Sequence, residues 1–196
     1  MKKLTREDLF SLEEYAEKRP EFRNKVLDHK KDRQVRIGDH ATLYFEDALT
    51  IRYQVQEMLR IEKIFERSGI DEELGAYNPL IPDGTNFKAT FMIEYPDVDE
   101  RREALSRLID IEDRVWVRAD GTDKVYAVAD EDLERATADK TSAVHFLRFE
   151  LPREIIDSIR AGAAFGFGID HPNYTEENFP LPEPGRKSLA ADLDAG

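Results

Sequence analysis

Between residues 87 and 95 the apolar side chains Phe87, Ala89, Phe91, Ile93 and Tyr95 alternate with Lys88, Thr90, Met92 and Glu94. A period of two sends the first set to one face of an extended chain and the second to the other, which predicts a half-buried strand. The same period recurs in "RQVRIGDHATLYFED", where Val35 and Ile37, a Gly38-Asp39 turn, and Ala41, Leu43 and Phe45 predict a hairpin. A second hairpin is predicted around Asp120-Gly121 in "DRVWVRADGTDKVYAVAD", and "VHFLRFELP" and "AAFGFGID" complete seven strand candidates. Glycines 166 and 168 of the last one fall inside an apolar run, where they mark a bulge or close packing.

Elsewhere the period lengthens to that of a helix. "TREDLFSLEEYAEKRPEFRNKVLDHKKDR" predicts two consecutive helices, with Thr5 and Asp8 at capping-box spacing and Pro20 opening the second. "TIRYQVQEMLRIEKIFE", residues 50 to 66, predicts a long helix with Asp47 as N-cap and Gly69 as its end. Shorter helices are expected near "DEELGA", over "DVDERREALSRLID", and over "REIIDSIRAG" closed by Gly162; "YNPLIPDGTN" is loop-forming. Strands interrupted irregularly by helices predict an α+β fold, a mostly antiparallel sheet packed against helices, as a single domain over residues 1–171. Residues 172–196, proline-rich and acidic, are expected to form an extended or disordered tail that folding does not need.

The long helix carries polar residues where packing prefers apolar ones. At about 100° per residue, Ile51, Val55, Met58 and Phe65 share one arc with Glu62 among them, and Tyr53, Glu57, Ile61 and Ile64 flank it. Arg52, Gln56, Arg60, Lys63 and Arg67 gather on the remaining side as a basic ridge for solvent or an acidic partner. Glu57, Glu62 and Gln54 are therefore expected in packed sectors. A buried carboxylate is costly unless paired, so arginines of the sheet, such as Arg118 or Arg148, are the expected partners.

His145 shares the parity of Leu147, Phe149 and Leu151, which places an imidazole on a core face; His171 shares that of Phe165, Phe167 and Ile169. Either ring can be a hydrogen-bonded core histidine. Together with Glu57 and Glu62 the two would also suit iron or another transition metal. Thr141, Ser142 and Asp139 lie close to His145 in sequence, but nucleophile triads are recognised by geometry and not by proximity along the chain.

Composition narrows the chemistry. Among 196 residues there is no cysteine, which excludes a disulfide framework, a thiolate nucleophile and a cysteine-bound metal cluster within the chain. A net charge of −13 disfavours nucleic-acid binding, despite one basic run at "HKKDRQVR". No stretch approaches the roughly 18 apolar residues of a membrane span. The charged start "MKKLTREDLF" lacks an apolar signal core, so a cytoplasmic location is expected.

In "ATLYFEDALTIRYQVQEMLRIEKI", "YNPLIP", "AVHFLRFELP" and "IDHPNY", in that order, the sequence resembles the bacterial domain-of-unknown-function family 3501. The likeness runs from the N-terminal helices to the last strand and includes Glu46, Gln54, Gln56, Glu57, Arg60, Glu62, Asn78, His145, Arg148 and His171. It implies an association with rubrerythrin-like and iron–sulfur oxidoreductase proteins. The expected function is accordingly that of a non-catalytic accessory or binding protein of a peroxide or iron–sulfur redox module, with Gln54, Glu57, Arg60, Glu62, Asn78 and Arg148 as candidate binding residues. A metal-dependent enzyme using His145, His171, Glu57 and Glu62, and a small-ligand sensor, are the alternatives.

Overall fold

A computed structural model describes residues 2–131, 135–137 and 139–194. Among them are six α-helices and nine strands, and the strands form two antiparallel sheets instead of the single one expected. Strands β1 (Gln34–Ile37), β2 (Ala41–Phe45), β3 (Asn86–Ile93), β6 (Val128–Ala129) and β7 (Val144–Glu150) make the first, in the order β1-β2-β3-β7-β6. The second, ordered β5-β4-β8-β9, joins β4 (Val115–Ala119), β5 (Val125–Tyr126), β8 (Phe165–His171) and β9 (Tyr174–Asn178).

The alternating residues explain the layering. Leu43, Phe45, Phe87, Phe91, Leu147 and Phe149 of the first sheet are buried in one core with Val115, Val117, Phe165, Phe167 and Ile169 of the second. Phe167 lies 4.7 Å from Phe45 and 5.4 Å from Phe149, ring centre to ring centre. Helices α4 (Val98–Arg107) and α5 (Arg153–Arg160) add Leu105, Ile155, Ile156 and Ile159 to the same core. The close packing expected of the strand glycines is present: a Cβ at Gly168 would sit 2.2 Å from the Trp116 ring.

The N-terminal region is a separate helical layer. Helix α1 (Leu12–Lys31) is capped by Ser11, whose side chain accepts from the Glu14 amide while Glu14 returns the bond. It runs unbroken through Pro20, where two helices were expected. Pro20 and Ala16, the residue whose carbonyl a proline there leaves free, are both exposed, so water can satisfy that carbonyl. Helix α2 (Ala48–Glu62) ends at Lys63, in the left-handed conformation at φ 55°, and not at Gly69. Gly69 belongs instead to α3 (Arg67–Tyr77), where a Cβ would approach Ile64 to 2.7 Å. The three helices bury Ile51, Val55, Leu59, Leu74 and Ile81 in one cluster and Tyr15, Phe22 and Val26 in another.

Residues 172–194 correct the expected tail. Strand β9 and helix α6 (Glu183–Ala190) lie here, and Leu181, Leu189 and Leu193 enter the main core at 3%, 0% and 1% exposure. The segment is poor in apolar residues, but these three leucines reach the core that the rest of the chain builds. Asp192 then meets Arg33, with Oδ2 2.5 Å from Nη2 and Oδ1 3.2 Å from Nη1. Burial pushes the Asp192 carboxyl up to about 6, against the pull of that guanidinium. Arg33 also donates to the carbonyls of Phe45 and Glu46, tying the helical layer to the sheets. No helix among the described residues is long and apolar enough to cross a membrane.

Candidate functional site

His145 sits on the inner face of β7, opposite Phe91 of β3, and is fully buried. Asp130, just past β6, is held at φ 49°. Its Oδ1 accepts from the Phe146 amide at 2.9 Å and from Arg135 at 3.1 Å, which leaves Oδ2 2.6 Å from His145 Nδ1. On the other side of the ring, Nε2 lies 2.9 Å from Thr141 Oγ1 and 3.1 Å from the Ser142 carbonyl. Thr141 donates to Glu112 Oε2 at 2.9 Å, and that oxygen is 3.7 Å from Nε2. Glu112 comes from the short turn Ile111–Arg114 that leads into β4, so the cluster connects the two sheets.

The connectivity Asp130, His145, Thr141 is that of a carboxylate–imidazole–hydroxyl triad. Thr141, however, is 1% exposed and its hydrogen is engaged by Glu112, so the hydroxyl is not presented to a substrate. One ligand atom each from Glu112, Asp130 and His145 lie within 4.8 Å of one another, a set that could hold a metal ion.

The expected metal set does not assemble: among the described residues no group of metal-ligand side chains contains His171, Glu57 or Glu62. His171 donates from Nε2 to the Ile109 carbonyl at 3.0 Å and accepts the Asn173 amide on Nδ1 at 3.1 Å. Both nitrogens serve the backbone. Glu62, the last residue of α2, is exposed, because the helix stops there and its packing partners lie along Ile51, Val55 and Leu59 instead. Gln56, placed by periodicity on the solvent side, is fully buried and accepts the Phe10 amide at 2.6 Å.

Glu57 does occupy a packed position, but its partners come from α1 and not from the sheet. Arg19 grips both oxygens at 2.7 and 2.8 Å, and the Tyr15 hydroxyl donates at 2.6 Å. Arg19's hydrogen bonds lower the Glu57 carboxyl to about 2. Arg60 stands 3.7 Å away, and Gln54 is half-buried on the same helix. Asn78 braces the N-terminus, accepting the Leu4 amide at 2.8 Å and donating to its carbonyl at 2.9 Å. Arg118 is 3.6 Å from Glu177, and Arg148 holds Glu131 and Glu150.

Glu112, Asp130 and Arg135 have no counterpart in the sequence reading. They lie in turns and connections, where no periodicity marks a side chain as inward. Thr141 carried one signal, its nearness to His145.

No curated protein matches the sequence. Among solved structures, a crystal structure of a novel protein of unknown function from Burkholderia pseudomallei is 54% identical and superposes with a TM-score of 0.91. The match covers 98% of this chain and 100% of that one. The family described as "Protein of unknown function (DUF3501)" matches residues 3–193, nearly the whole chain. On that extent of match, the protein belongs to the DUF3501 family.

Proposed function

We propose that the protein is a non-catalytic accessory of a peroxide or iron–sulfur redox module, docking a rubrerythrin-like or iron–sulfur oxidoreductase partner at the corner between α2 and α3. The observation that carries this reading is the exposure of two large apolar side chains there, Ile61 at 62% and Phe65 at 75%. Large apolar side chains left to solvent within five residues of one another around a helix end offer apolar area for a protein interface. Lys63 and Arg67 are exposed there alongside the equally exposed Glu62 and Glu66, so the rim of the patch carries both signs. Binding of purified partners of the two classes, followed by interferometry with the Ile61→Ser/Phe65→Ser double variant, tests it. The variant should melt like the wild type and bind at least about tenfold more weakly. Equal binding by the variant, or none by the wild type, overturns the assignment.

A second reading, a transition-metal-dependent enzyme, is favoured by the convergence of Glu112, Asp130 and His145. It differs from the expected set in two of its three ligands, Glu112 and Asp130. Elemental analysis of untagged protein purified without chelator should find a stoichiometric metal that His145→Ala removes. Its absence from the wild type refutes this reading.

A further inference from the structure

A cleft of about 210 Å3 opens where the outer face of the five-stranded sheet meets the end of α3. Pro79, Leu80 and Phe146 give it apolar walls, and two carboxylates, Glu46 and Glu131, and two cations, Lys88 and Arg148, bring charge to it. Arg148 is committed, with both arms of its guanidinium on Glu131 and a further bond to Glu150. Lys88 is not: its ammonium donates to the Pro79 carbonyl at 2.6 Å and forms no ion pair among the described residues. Burial, reinforced by Lys3, holds that ammonium below the ordinary lysine range.

Glu46 follows Phe45, which pairs with Ala89, and its amide donates to the Lys88 carbonyl at 2.9 Å, so the two side chains are neighbours. Its carboxylate accepts hydroxyls, from Thr50 at 2.6 Å and Thr90 at 3.5 Å, and forms no ion pair among the described residues. A carboxylate and an ammonium thus share one half-buried cleft without pairing to each other. Asp83 and Glu131 act on Lys88 only from beyond ion-pair distance, and a half-buried charge without a directly bonded counter-charge is costly. A ligand carrying both charges satisfies both groups at once, whereas a dianion meets Glu46 and a diamine meets Lys88 with like charge. The volume is below the roughly 300–1,000 Å3 of pockets for drug-sized molecules, which restricts the ligand to a small metabolite.

We propose that this cleft binds a small apolar α-amino acid, its carboxylate on Lys88, its ammonium on Glu46 and its side chain against Leu80 and Phe146. Calorimetric titration with L-leucine tests it, alongside 4-methylpentanoate, which lacks the ammonium, and 3-methylbutylamine, which lacks the carboxylate. Leucine should bind, and both analogues should bind at least about tenfold more weakly. Lys88→Met and Glu46→Gln should each reproduce that loss, and Lys88→Arg, which keeps the cation, should retain binding. Glu46→Gln can still accept from Thr50, so it decides the matter should Lys88→Met fail to fold. Absence of leucine binding, undiminished binding in the variants, or equal binding of 4-methylpentanoate overturns the assignment.

Discussion

Replacing Glu57 by glutamine removes one charge from the junction of α1 and α2 while keeping the side chain's shape. Arg19 then faces a neutral amide, and of the two oxygens that accepted from it, Oε1 together with Tyr15 and Oε2 alone, only one remains. A carboxyl held at about 2 instead of 4.5 corresponds to about 3.4 kcal/mol of preference for the charged form. Arg19 is 32% exposed, so water recovers part of that, and the expected loss of stability is about 1.5–2.5 kcal/mol. The sign with pH follows from the lowered value: the contribution is complete above about 4.5 and drains as pH falls through about 2. Urea denaturation at pH 7 should show the full difference between wild type and Glu57→Gln, and at about pH 3 it should shrink to roughly two-fifths. Glu62→Gln, at an exposed helix end, is the control and should change stability by no more than about 0.5 kcal/mol. A Glu57→Gln effect no larger than that control, or one undiminished in acid, refutes the reasoning.

Truncation after Glu177 removes Leu181, Leu189 and Leu193 from the core and leaves Arg33 buried without Asp192. At about 1.5–3 kcal/mol for each buried leucine, the loss rivals the whole stability of a domain, and calorimetry should find no cooperative unfolding transition near the wild-type temperature. A normal melt would show that the C-terminal segment is dispensable. Thr141→Val keeps the volume but takes the hydrogen from Glu112 and one acceptor from His145; the melting temperature should fall by the equivalent of about 1–3 kcal/mol, and an unchanged melt would remove the cluster from the architecture. Gly168→Ala, whose new methyl would overlap Trp116, should cost about 1–3 kcal/mol in denaturant titrations, and a neutral outcome would mean that the ring moves aside freely.

Local pattern determined much of this protein by itself. Alternation along β2, β3, β7 and β8 marked the inward residues, including Phe91 and His145, because a strand's period is a property of its own backbone. The Asp47 cap, the Thr5–Asp8 capping box and the Asp120-Gly121 hairpin were legible for the same reason: their partners lie within a few residues. Tertiary structure alone decided how the strands divide into two sheets, which depends on contacts between residues distant in sequence. It also decided which polar side chains of α2 are buried. Periodicity treated Glu57 and Glu62 alike, but α1 supplies Arg19 and Tyr15 to the first, and the left-handed Lys63 ends the helix before the second can pack. Leu189 and Leu193 in an acidic, proline-rich segment gave no local sign of burial, since the cavity they fill is built by other elements. The partners of His145 were hidden likewise. Glu112 and Asp130 reach it from turns separated from it by 33 and 15 residues: the pairing of β6 with β7 brings Asp130, and the closing of one sheet over the other brings Glu112.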